Sequence, residues 1–213
     1  INSDSADITK ITATGTSNLT TTGALTLGTG DFVGVTINSG SAEITSLKST
    51  GNANLTTTGD LTVGTGDFAG VTMTSNNGSV EVSNLTSSNN VVINSENGKT
   101  TLGTLNVDGT FDVVTKNLEI TTGMDVSGKA TITSTGNVVV TPDATLSDLE
   151  IKSAKDVTFG KLKVSNLASI TNEGKLKLGT GEFKDITITS DSADITSLKS
   201  TGDANLTTAG ALT

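Results

Sequence analysis

Apolar residues recur along the chain in short alternating groups. Leu25/Leu27, Leu61/Val63, Val80/Val82, Leu118/Ile120, Val138/Val140, Val157/Phe159 and Leu176/Leu178 form one set. Val35/Ile37, Val71/Met73, Val91/Ile93, Phe111/Val113, Leu149/Ile151 and Ile186/Ile188 form a second. Between them falls a third apolar position, at Ile11, Phe32, Leu47, Phe68, Leu85, Leu146, Leu167, Phe183 or Leu198. The period within each group is two, which predicts strands with one buried face. No helical period of 3.6 persists. Gly, Asn, Asp and Ser fill the gaps, and these are turn-forming residues.

The groups belong to a repeat. Gly15–Thr36 (GTSNLTTTGALTLGTGDFVGVT) returns at Gly51–Thr72 (GNANLTTTGDLTVGTGDFAGVT), an offset of 36 residues. Ser190–Thr213 matches Ser3–Thr26 at 17 of 24 positions, an offset of 187. Cutting at the turn signals yields eleven blocks from Ala6 to Gly210, each 18–20 residues long. The longer repeats are then two and ten blocks. Equal short-strand units of this length predict coils of a parallel β-helix, in which stacking buries an inner face that no single coil could bury alone. An antiparallel sandwich does not predict near-identical tracts at whole multiples of one unit. The expected fold is therefore an all-β, right-handed parallel β-helix (solenoid) of about eleven coils of 18–20 residues. The hand follows from the general crossover rule. Coils about 4.8 Å apart make the stack roughly 50 Å long. Residues 1–213 read as one segment. The chain opens without Met and both ends stop inside a repeat, so it reads as a fragment of a longer repetitive shaft. Open solenoid ends expose unpaired backbone, so the isolated segment is expected to stack head to tail.

Composition narrows the chemistry. The chain has 13 Lys, no Arg and 22 acidic residues, for a net charge of −9; His, Cys, Trp and Tyr are absent. Without His there is no imidazole base or Ser-His triad. Without Cys or His there is no zinc site of the usual kind. An acidic chain without Arg and nearly without aromatics is a poor nucleic-acid ligand. No stretch is long and apolar enough to span a membrane as a helix. No cofactor is expected and the chain does not read as an enzyme.

Four features merit weighing as sites. Asp4/Asp7, Asp148/Glu150, Glu182/Asp185 and Asp191/Asp194 are close carboxylate pairs. Such pairs act as acid and base in polysaccharide hydrolysis. Yet Asp4/Asp7 and Asp191/Asp194 are copies of one motif, SDSAD, and copied carboxylates suit a solvated surface. GTGD at Gly28–Asp31 and Gly64–Asp67, and GTGE at Gly179–Glu182, invite comparison with calcium turns but meet neither calcium-loop pattern. The simpler reading is that these glycines supply positive φ at a coil corner. Thr20/Thr22, Thr36/Asn38, Thr56/Thr58, Thr72/Thr74, Thr131/Thr133 and Thr187/Thr189 are assigned outward as a Thr ladder of the kind that orders water on ice-binding β-helices. Interruptions at Val92/Asn94, Asp112/Val114 and Glu150/Lys152 count against that use, and Thr also favours strands for its own sake. The sequons at Asn18, Asn54, Asn77, Asn84 and Asn205 are glycosylation candidates. The plain alternative is that NLT is one copied coil corner with Asn stacked as a ladder.

Coils such as EITSLKSTGNANLTTTGDLTVGTGDF, rich in Thr, Asn and Gly and free of Cys, resemble the shafts of large two-partner-secretion exoproteins. These include filamentous haemagglutinin, the high-molecular-weight adhesins of Gram-negative bacteria and the stems of contact-dependent inhibition proteins. The resemblance spans nearly the whole chain but omits the family's N-terminal secretion domain with its NPNG-type motif. It implies a secreted, cell-surface location, an outer-membrane secretion partner, and sugars on some sequon Asn residues. The function it implies is a structural stalk extending a distal tip, its first partners being the neighbouring coils of the same chain. The alternatives are a directly adhesive or matrix-forming surface in contact with host or neighbouring cells, a polysaccharide-active enzyme, and an ice-binding protein.

Overall fold

The computed structural model describes all 213 residues. It is all-β and contains no helix. The strands are β1 (Asn2–Ser3), β2 (Ala6–Thr21), β3 (Ala24–Ser39), β4 (Ser41–Thr57), β5 (Leu61–Ser75), β6 (Val80–Ser87), β7 (Val91–Val107), β8 (Phe111–Ser134), β9 (Val138–Ser153), β10 (Val157–Asn172), β11 (Lys175–Ser190), β12 (Ser192–Ser200) and β13 (Ala204–Thr208). Every pairing is parallel and joins one coil to the next, so the chain is a β-solenoid of about eleven turns.

Each coil has three faces. In β3 the buried residues are Leu25 and Leu27, then Gly30 and Phe32, then Val35, Ile37 and Ser39. The strict alternation slips at Gly28–Thr29 and again at Val33–Gly34, and each slip is a corner. The third corner is the turn at Gly40. Stacking coils in register turns these seven inward positions into seven columns. Six are mainly apolar, with Ser49, Ser87 and Thr100 as buried polar members: Leu25 is followed by Ala42 and Leu61, and Ile37 by Leu55 and Met73. Together 50 buried apolar residues form one continuous core.

The seventh column is polar and buried. It includes Thr57, Ser75, Ser95, Thr115, Ser134, Ser153, Asn172 and Ser190. A buried hydroxyl needs a partner, and most find one at the turn. Ser75 donates to Gly59 O at 2.7 Å, Ser95 to Gly78 O at 2.9 Å and Ser153 to Gly136 O at 2.8 Å, each in the coil before. A second set of contacts climbs the outside of the corners. Ser79 N donates to Asp60 Oδ1 (2.8 Å), Asn137 N to Asn117 Oδ1 (2.9 Å) and Lys175 N to Asp156 Oδ1 (2.8 Å), again coil to coil.

Two expectations are corrected. No glycine has positive φ. The GTG[DE] glycines are required by close approach instead. A Cβ on Gly28 would lie 2.4 Å from Thr9 O of the coil before, and one on Gly64 would lie 2.5 Å from Thr45 O. A Cβ on Gly30 would strike the ring of its own Phe32 at 2.6 Å. Leu167 is not a core residue either: it is 49% exposed, while Leu162, Val164 and Ala168 fill the inward positions of its coil. Its apolar character matches the core groups, but a register shift between Val164 and Leu167 turns it outward. The other eight residues of the third apolar group point inward, Phe32, Phe68 and Phe183 among them at equivalent places. At the two ends the inward residues Ala6, Ile8, Ile195 and Leu198 are only partly buried.

Candidate functional site

Four of the eight paired carboxylates are held by neighbours. Glu150 lies between Lys129 and Lys152, the latter at 2.9 Å. The hydrogen bond from Lys129, reinforced by that from Lys152, holds its carboxyl down at about 2. The same contact raises Lys129 above the usual lysine range, and Asp143 raises Lys161. Asp148 accepts from Leu167 N (3.3 Å) and Asn166 Nδ2 (3.2 Å). Asp185 accepts from Asp203 N at 2.9 Å. Asp194 pairs with Lys175 at 3.2 Å. Asp4 receives only a long contact from Thr22 Oγ1 (3.4 Å), and Asp7 faces outward beside Thr26. Nowhere do three ligating side chains converge.

The acid of each GTG[DE] turn points outward on the second face. There it alternates with lysine from coil to coil: Asp31, Lys48, Asp67 in one stretch and Lys163, Glu182, Lys199 in another. Lys48 Nζ stands 3.9 Å from Asp67 Oδ2. Opposite charges directly across a parallel ladder favour this register, since a one-coil slip would place like charges together.

The structure divides the Thr ladder. Thr20, Thr56, Thr72, Thr74, Thr131, Thr133, Thr187 and Thr189 do project from the third face, exposed or half-buried. Thr22 and Thr58 do not belong with them, because β2 ends at Thr21 and β4 at Thr57 and both residues lie in the turn beyond. The partner of Thr36/Asn38 in the preceding coil is Asn18/Thr20, and in the following coil Asn54/Thr56. The tract TTT at 20–22 made a two-residue shift invisible in the sequence, whereas the buried Thr21 settles it.

All five sequon asparagines are exposed. Asn18, Asn54 and Asn205 occupy one column in the middle of the third face, not a corner. Thr36 separates the first two, so no Asn ladder forms. Asn84 sits elsewhere, beside Thr65 and Thr104, and Asn77 lies in a turn. Shallow surface depressions occur at several places along the rod. One of about 300 Å³ is lined by Asn52, Asn54, Asn89, Asn90 and Val92, and another of about 560 Å³ by Glu96, Asn97 and Lys116 among others. Both are open and shallow, and neither gathers groups that could act on a bound molecule together. Comparison with protein-family models, with curated proteins and with solved structures finds no match to this chain.

Proposed function

We propose that this segment is a structural stalk of a secreted bacterial surface adhesin or exoprotein, a stiff rod that holds a distal tip away from the cell. The observation that carries this reading is the unbroken parallel pairing from Asn2 to Thr208 around one aliphatic core. Of 164 backbone hydrogen bonds, 134 lie within the strand ladders, so bending the rod means straining hydrogen bonds on all three faces. Bending also opens a close-packed interior. Several outward carboxylates, among them Asp60, Glu119, Glu150 and Asp185, are held by lysines or backbone amides, which suits a solvated wall rather than a reacting centre, and no residue is assigned a catalytic role. Secretion through an outer-membrane partner and display at the surface rest on the resemblance of the repeats to two-partner-secretion shafts.

The test is a deletion of Ala24–Gly59, two coils and 36 residues. Removing them should leave a folded rod shorter by about 10 Å. In the parent protein, attachment through the tip should persist. Loss of attachment by a rod that still folds and is displayed would assign the segment a binding surface of its own, the adhesive reading.

A further inference from the structure

Correct register changes the standing of the third face. Five successive coils place ten residues there in two columns: Asn18/Thr20, Thr36/Asn38, Asn54/Thr56, Thr72/Thr74 and Val92/Asn94. The pairing across these rows contains no bulge within the strand runs. None of the ten is charged, on a chain of net charge −9. Of the three interruptions, Val92/Asn94 brings no charge and is the last row of the neutral run, while Asp112 and the Glu150/Lys152 pair lie farther along the rod. The first face carries Asp7, Glu43, Glu81 and Glu119 outward, and the second carries the Asp31–Lys48–Asp67 series. Charge is thus cleared from the third face over these five coils, and Thr131/Thr133, Ser169/Thr171, Thr187/Thr189 and Asn205/Thr207 add neutral rows farther along.

We propose that this neutral Thr/Asn face, from Asn18 to Asn94, is an ice-binding surface. Its rows repeat about every 4.8 Å along the rod, and its two columns stand roughly 6.6 Å apart, twice the rise per strand residue. The face is thus periodic in two directions, as recognition of a crystalline partner requires. All ten side chains are exposed or half-buried, and the nine polar ones make no hydrogen bond to the rest of the chain. Their donors and acceptors are therefore free to fix water on a rigid grid. Thr adds a methyl group beside each hydroxyl, so the face presents apolar and polar points at the same period.

The partner implied is neutral and crystalline. A charged polymer would find no counter-charge on this face. A flat glycan would be gripped by exposed aromatic rings, yet there is no Trp or Tyr and all five Phe are buried. A protein partner would lack the aromatic and Arg anchors that dominate such interfaces. This inference is independent of the stalk reading, since a rod can carry a binding face along its wall.

The experiment is partition of the 213-residue chain into slowly growing ice, together with inhibition of ice recrystallisation. The wild-type chain should enter the ice and suppress recrystallisation. Thr56→Lys and, separately, Asn38→Lys put a charge at the centre of the grid and should reduce both to the level of an inert control protein. Thr62→Lys, outward on the first face, should leave both intact; circular dichroism establishes that each variant is folded. Exclusion of the wild-type chain from ice overturns the proposal. So does an equal loss in Thr62→Lys, or retention of full activity in the folded Thr56→Lys and Asn38→Lys variants. Retention on microcrystalline cellulose or chitin without entry into ice would replace it with a glycan partner.

Discussion

The coils from Ala6 to Ser87 and those from Val91 to Asn172 fill the same three-sided interior in different ways. In the first region the second face pairs a residue without a side chain with a large one, then a large one with a small one. Gly30/Phe32 is followed by Leu47/Ser49, and Gly66/Phe68 by Leu85/Ser87. The Phe ring lies across its own glycine, and Leu47 of the next coil leans into the same gap, 2.8 Å from where a Gly30 Cβ would be. The packing unit is therefore two coils, and this is the physical source of the 36-residue repeat. In the second region the equivalent positions are Leu105/Val107, Met124/Val126, Ala144/Leu146 and Leu162/Val164. Each coil there fills its own share with middle-sized residues, and the two-coil period disappears. Interior volume is conserved while repeat length is not.

The largest test of this contrast is Phe68→Ala. It removes the one large residue over Gly66 and should cost about 3–5 kcal/mol, read as a drop in urea midpoint and as lost amide protection in the coils around Phe68. Val126→Ala, at the equivalent place in the second region, should cost clearly less, and equal losses would refute the two-coil account. Next come the glycines. Gly64→Ala would set a methyl 2.5 Å from Thr45 O, and Gly66→Ala would set one 2.3 Å from the Phe68 ring. Each should destabilise by about 1–3 kcal/mol. Gly123→Ala has nothing within 4 Å and should be neutral or stabilise by up to about 1 kcal/mol. Thermal melts of the three variants decide the matter.

The buried polar column is common to both regions, and its removal should cost the same in each. Ser75→Ala takes one of two hydroxyl donors from Gly59 O and the acceptor from Gly78 N, and Ser153→Ala leaves Gly136 O without its hydroxyl donor. Each should lose about 1 kcal/mol, measurable by urea titration. A loss confined to one region would make the column a local feature rather than a spine of the rod.

The smallest effect is electrostatic and belongs to the charged third face of the second region alone. Glu150 is held down at about 2 by Lys129 and Lys152, while an unfolded glutamate titrates near 4.3. A depressed carboxyl adds stability above the unfolded value and loses it as pH falls toward about 2. Because the pair is solvent-facing, the contribution should not exceed about 1 kcal/mol. The melting difference between the wild-type chain and Glu150→Gln should be full at pH 6 and gone by about pH 2. A difference independent of pH would assign the loss to packing.

Much of this architecture is legible in the residues themselves. A period of two inside apolar groups, and near-identical tracts at whole multiples of one unit, leave little room for any fold but a stacked solenoid. They place Leu25/Leu27, Val35/Ile37 and Phe32 inward without further help. What they leave open is the phase of the polar positions. In TTT at 20–22 every residue is an equal candidate for the surface, and only coil-to-coil pairing turns Thr21 in and moves Thr22 into the turn. In the same way Leu167 carries the chemistry of a core residue but not its position, because a register shift at the corner turned it out. The glycines were legible as necessary but not for the right cause, since the carbonyl that excludes a Cβ at Gly28 belongs to a residue 19 positions earlier. Hydrophobic periodicity acts within a few residues and so is written in the sequence. The clearing of charge from one face, the side-chain bridges between turns and the sharing of volume between Gly30 and Leu47 act across coils, and they exist only once the coils are stacked.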